Sequence, residues 1–114
     1  MSFSLKTRKI GPVVIVDMSG RLMSGEPVQS LRTAVKQAAD EGILKFVFNL
    51  ADVSHIDSSG LGELITSYTT IRGRKGDVKL LKLTARAKDL LQMTKLLTVF
   101  ECFDDEQLAV TSMG

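Results

Sequence analysis

The sequence predicts an α/β fold: a mixed, largely parallel β-sheet with helices packed on it, in the order ββ-α-β-α-β-α-β-α. Apolar, β-branched runs of strand length alternate with segments whose apolar residues recur at helical spacing, the pattern of parallel strands joined by right-handed crossovers. The first two strand-like runs are separated only by Gly11-Pro12, a turn signal, so they form an antiparallel hairpin. The 114 residues suffice for one hydrophobic core and are too few for two, which makes 1–114 a single domain.

Along the first strand Phe3, Leu5, Thr7 and Lys9 alternate, and Val13-Val14-Ile15-Val16-Asp17-Met18 supplies the second. After Gly20 a loop through Ser24-Gly25-Glu26-Pro27 leads into a helix. Pro27 suits its first turn, where the missing N–H costs nothing. Val28, Leu31, Val35, Ala38 and Ala39 follow at helical spacing, and Gly42 stops the helix. Leu44 to Leu50 is a near-continuous apolar run, as expected of a central strand paired on both sides. The helical pattern resumes near Leu61, with Leu64, Ile65, Tyr68 and Ile71, and ends at Gly73. Asp77 to Leu83 reads as a strand, and Thr84 caps a short helix bearing Ala87, Leu90, Leu91 and Thr94. Val99-Phe100 reads as a brief last strand. Asp104, with Gln107 three residues on, reads as a cap opening a final helix through Leu108 and Val110.

Composition excludes several classes. At 44% hydrophobic and 25% charged the chain is an ordinary globular sequence, and a net charge of +2 is too small for a nucleic-acid binder. No basic run is interleaved with aromatics. Arg72-Gly73-Arg74-Lys75, the densest basic cluster, falls at a predicted helix C-terminus, where cations complement the helix dipole. The single cysteine, Cys102, allows no intramolecular disulfide and no multi-cysteine metal site. Flanked by Phe100 and Phe103, it reads as a small buried hydrophobe in a reducing compartment. The N-terminal Met1 to Lys6 lacks the apolar core of a signal peptide, and no stretch approaches the ~20 apolar residues that span a bilayer. The expected location is the cytoplasm, without membrane insertion, cofactor or metal.

The chemistry concentrates in His55-Ile56-Asp57-Ser58-Ser59-Gly60-Leu61-Gly62, where the central strand hands over to a helix. In such sheets function collects beyond the carboxyl ends of strands, and Arg21-Leu22-Met23-Ser24-Gly25 is a second loop of that kind. A serine nucleophile would need the G-x-S-x-G elbow, which is absent, and a histidine base; the only histidine is His55, on the incoming strand. No G-x-x-x-x-G-K-[ST] loop is present for nucleotide hydrolysis. Lone His55 and lone Cys102 lie far apart, which leaves no metal-ligand cluster. Two readings remain open from the residues. A serine here is a helix cap, or it is the substrate of another protein's kinase, its phosphate tolerated by the electropositive helix end.

The stretch Asn49 to Gly62, with its Asp57-Ser58-Ser59-Gly60-Leu61-Gly62 core, resembles the signature of STAS domains, specifically the bacterial anti-sigma factor antagonists. Gly20-Arg21-Leu22 resembles the family's loop after the second strand. Lys82-Leu83-Thr84 with Leu90-Leu91 resembles its third α-unit, so the likeness runs over essentially the whole chain. The resemblance implies a non-enzymatic partner switch. The unphosphorylated antagonist binds an anti-sigma factor that is also an ATP-dependent serine kinase; phosphorylation ends that binding, and a PP2C-type phosphatase restores it.

By matching position the phosphoacceptor is Ser58. Asp57 and Ser59 shape the site, Gly60 lets the partner's backbone approach, and Arg21, Met23, Ser24 and Leu61 complete the expected contact set. Met23 stands where many members carry an acid, and it offers an apolar contact suited to a different partner. The rival implied by the same family is a STAS accessory subunit of a membrane transport complex or a signalling assembly, with no phosphorylation switch.

Overall fold

The turn at Gly11 pairs β1 (Phe3–Ile10) antiparallel with β2 (Val13–Leu22), Ile10 lying opposite Val13 and Phe3 opposite Gly20. The structure is a computed structural model and describes residues 2–113. Helix α1 (Glu26–Asp40) carries the chain across to β3 (Lys45–Ile56), which pairs parallel with β2. Helix α2 (Ser58–Gly73) leads to β4 (Asp77–Leu81), and α3 (Ala85–Met93) to the two-residue β5 (Cys102–Phe103). A short α4 (Glu106–Thr111) follows. The sheet order is β1-β2-β3-β4-β5; the β1–β2 hairpin is antiparallel and the other three pairs are parallel. That is the mixed, largely parallel α/β architecture expected from the sequence. Among the described residues no helix is long and apolar enough to cross a membrane.

Strand alternation divides the core. On one face Val14, Val16, Phe46, Phe48, Leu50, Val78 and Leu80 pack under α1 and α2, against Leu31, Val35, Leu64 and Ile71. The helical spacing of those four is the stripe read from the sequence. Each such side chain contributes about 1.5–3 kcal/mol by leaving water. On the other face Val13, Ile15, Val47 and Leu81 form a smaller core under Ala109 and Met113. The Arg8 guanidinium holds α4 there, its Nε 2.5 Å from Asp17 Oδ2 and its Nη2 2.5 Å from Glu106 Oε1.

Between α1 and α2 the buried Glu63 carboxylate accepts from Arg32 Nη2 at 2.8 Å and from Ser67 Oγ at 3.3 Å. Buried Lys79 is likewise neutralised, by Asp77 and Glu101. Both follow the rule that a charge is retained in the interior only with partners.

Four local expectations are corrected. β3 does not end at Leu50 but continues to Ile56, because its polar second half still pairs with β2 after its pairing with β4 stops at Asn49. The last strand is Cys102–Phe103 rather than Val99-Phe100; Phe100 is drawn into the core, edge-on to Tyr68 at 5.0 Å. The cap of α4 is Asp105, whose Oδ1 accepts from Gln107 N–H at 3.0 Å, one residue beyond Asp104. Cys102 is exposed rather than buried, although desolvation of its thiol still raises its pKa, so the sulfur is not activated.

Candidate functional site

The extension of β3 positions the site. Because β2 and β3 stay paired to their ends, Leu22 lies beside Ile56, and the two following loops leave the sheet next to each other. They are then joined. Asp57 N–H donates to the Leu22 carbonyl at 3.4 Å, and Ser24 N–H donates to Asp57 Oδ2 at 3.2 Å.

Asp57 also starts α2. Its extended backbone (φ −94°, ψ −176°) turns Oδ1 onto the Gly60 N–H at 2.7 Å, an N-cap that satisfies one of the amides a helix leaves unpaired. The cap is therefore the aspartate and not a serine. The helix begins at Ser58, three residues before the apolar stripe at Leu61. The Gly60 N–H, ahead of those of Ser24 and Ser59, holds the Asp57 carboxyl below the ordinary carboxylate range.

Gly60 is fixed by close approach. A Cβ there would overlap the Leu22 carbonyl oxygen, so the absent side chain is what lets α2 seat against β2. The room expected for a partner's backbone is filled by the chain's own Leu22. Leu61 is also buried, so these two residues hold the turn in place and present little surface. Gly25, with φ 96°, turns the other loop into α1, and Pro27 follows in the first helical turn as expected.

Ser58 and Ser59 are exposed in the first turn of α2, and Ser24 is exposed across the Asp57 bridge. Met23 is half-buried, and Arg21 is exposed at the end of β2 beside His55. The sequence-based set lies at neighbouring strand ends: Arg21 at the end of β2 with Met23 and Ser24 in the loop after it, and Asp57 after β3 with Ser58 and Ser59 in the first turn of α2, Gly60 and Leu61 being buried beneath. Sequence reasoning names Leu22 in this stretch but gives it no role. Its contribution is a backbone carbonyl, and no side-chain pattern marks it.

His55 Nδ1 lies 3.4 Å from Ser54 Oγ, and among the described residues neither the Ser58 nor the Ser59 hydroxyl is hydrogen-bonded to a base. The carboxylate of the preceding Asp57 is already occupied by backbone amides.

The sequence model of the STAS domain matches residues 4–109. The chain belongs to the STAS domain family. Among curated relatives, the anti-sigma F factor antagonist of Paenibacillus polymyxa is 27% identical over 96 residues, covering 80% of this chain and 82% of that protein. Among solved structures, TM1081 of Thermotoga maritima superposes with a TM-score of 0.88 at 22% identity, covering 96% of this chain and 93% of that one. The phosphorylated form of the Bacillus cell fate determinant SpoIIAA gives a TM-score of 0.79 at 18% identity, covering 97% and 100%. At these identities the two structural likenesses establish a shared STAS fold. In this STAS chain the two loops that meet at Asp57 lie at the carboxyl ends of β2 and β3.

Proposed function

We propose that the protein is an anti-sigma factor antagonist whose binding is switched off by phosphorylation of Ser58. The observation that carries the reading is the exposed Ser58 hydroxyl in the first turn of α2, one residue beyond the Asp57 carboxylate that ties the two loops together. Open to solvent and hydrogen-bonded to no base among the described residues, this hydroxyl is accessible to a kinase. The kinship with an anti-sigma F factor antagonist supports an anti-sigma factor as partner.

The physical switch is a change of charge on an otherwise fixed surface. A phosphoryl group brings roughly −1.5 to −2 charges and three acceptor oxygens. Within the chain the N-terminal end of α2 tolerates it, though Asp57 adds a like charge beside it. Against a partner already packed over the turn, the phosphate must be desolvated next to that carboxylate. A loss of about 3 kcal/mol weakens binding more than a hundredfold. The partner would itself be the serine kinase, using ATP, and a PP2C-type phosphatase would reset the switch. The chain itself needs no catalytic group, metal or cofactor for this role.

The test is phosphoryl transfer. Incubation with ATP and each kinase-like anti-sigma factor of the host should place one phosphate on Ser58, mapped by mass spectrometry, and none on Ser58→Ala. A chain that takes phosphate only at Ser59 overturns the assignment. A chain that takes none from any of these kinases, yet co-purifies with a transport protein, supports the accessory-subunit reading instead.

A further inference from the structure

β1 is an edge strand: among the described residues its one neighbour in the sheet is β2. Alternate residues of such a strand point N–H and C=O groups away from the sheet, ready to pair with an added strand. Beside this edge lies a groove of about 480 Å³, the space between β1 and α1. Leu5, Val14 and Ile43 give it an apolar lining. The small side chains of Ala34 and Ala38 on α1 leave it open. A strand laid along β1 would send every second side chain into this groove and the others to the opposite face.

Charge decides what kind of strand fits. β1 carries Lys6, Arg8 and Lys9, all exposed. Arg8 is spent on Asp17 and Glu106, whereas Lys6 and Lys9 have no ion pair among the described residues. From the register, Lys9 shares the groove side with Val14, and Lys6 shares the other side with Asp17. Among the described residues Glu41 is the one acid lining the groove, where Arg8 and Lys9 also lie. Free positive charge on both sides of the edge disfavours pairing with a second β1, because like charges opposite one another destabilise a sheet. The groove between α1 and α2 offers no such selectivity, since Arg32, Lys36 and Arg74 are already paired with Glu63 and Asp40.

We infer that the β1 edge is a docking site for an extended acidic segment of a partner protein, which adds a sixth strand to the sheet. Its apolar residues would alternate with carboxylates, the apolar ones filling the groove over Leu5 and Val14 and the carboxylates on the opposite face pairing with Lys6, while Lys9 adds positive potential at the groove. This is strand addition, in which backbone hydrogen bonds supply affinity and alternate side chains supply specificity. The surface belongs to the hairpin and α1, so it is independent of the Ser58 turn and of the switch proposed there.

The test uses the full-length chain, isotopically labelled, and a blocked peptide of alternating valine and glutamate as the probe. Amide shifts should appear along β1 and at Ala34 and Ala38, with saturation below millimolar peptide. The paired substitution Lys6→Glu with Lys9→Glu lies on exposed positions and should preserve the fold while weakening the probe by about tenfold or more. A peptide with lysine in place of glutamate should not bind. The inference is overturned if the acidic peptide leaves β1 unshifted at millimolar concentration, or if it binds the double variant as tightly. It is equally overturned if the chain alone self-associates through β1 in sedimentation.

Discussion

Ser24 and Asp57, thirty-three residues apart in sequence, are joined by a single hydrogen bond from the Ser24 N–H to Asp57 Oδ2 at 3.2 Å. The other oxygen of the same carboxylate caps α2. One side chain thus starts the helix that carries Ser58 and fixes the loop that faces it.

Replacing Asp57 separates these roles from charge. Asp57→Ala removes both bonds and should cost about 1 kcal/mol, the usual loss for an N-cap. Asp57→Asn keeps an acceptor for Gly60 and should cost less. Urea unfolding at neutral pH measures both. Equal stability of Asp57→Ala and the native chain would show that the cap contributes nothing.

Gly60→Ala should destabilise more than its size suggests. The added methyl group meets a backbone carbonyl that cannot rotate away, so either α2 or the end of β2 must shift. Overpacking of this kind costs about 1–3 kcal/mol. Gly62→Ala is the control, because its Cβ would meet nothing and a helical alanine is preferred to glycine. Thermal melts should move down for the first and stay level or rise for the second.

Acid should loosen α4 through Arg8. Hydrogen bonds from Arg8 hold both Asp17 and Glu106 below their ordinary pKa. A carboxylate with a depressed folded-state value stabilises the fold above its unfolded pKa and loses that contribution as pH falls through the folded value. The loss therefore begins near pH 4 and deepens below it. The side chains are only partly buried, so the effect is modest. Urea midpoints measured from pH 6 down to 3 should fall less steeply in Arg8→Ala than in the native chain. Parallel curves would assign the acid sensitivity elsewhere.

Much of this was legible in the sequence because it is written locally. The alternation in Phe3 to Lys9, the spacing of Leu31 and Val35, and Pro27 in a first turn each follow from the period of one element. The Asp57-Ser58-Ser59-Gly60 turn stood out for the same reason. What escaped is non-local. β3 extends to Ile56 because β2 pairs with it, and the polar residues Asp52, Ser54 and His55 hide that in any search for apolar runs. The first turn of α2 is exposed, so the apolar period starts only at Leu61 although the helix starts at Ser58. Asp104 and Asp105 are chemically identical, and only the folded backbone selects the second as cap. Phe100 reads as strand from its neighbours alone, because its pull toward Tyr68 comes from the core. Likewise the tie between Gly60 and Leu22 leaves no mark in the spacing of either.

The central claim is that the charge on Ser58 sets the affinity for an anti-sigma factor. The direct measurement is the dissociation constant, by calorimetry, of that partner with the native chain, with the chain phosphorylated on Ser58, and with Ser58→Ala. Ser58 is exposed and makes no side-chain bond among the described residues, so Ser58→Ala should fold and bind like the native chain. The phosphorylated chain should bind at least about a hundredfold more weakly, a loss near 3 kcal/mol. Equal affinity of the phosphorylated and native chains would contradict the account.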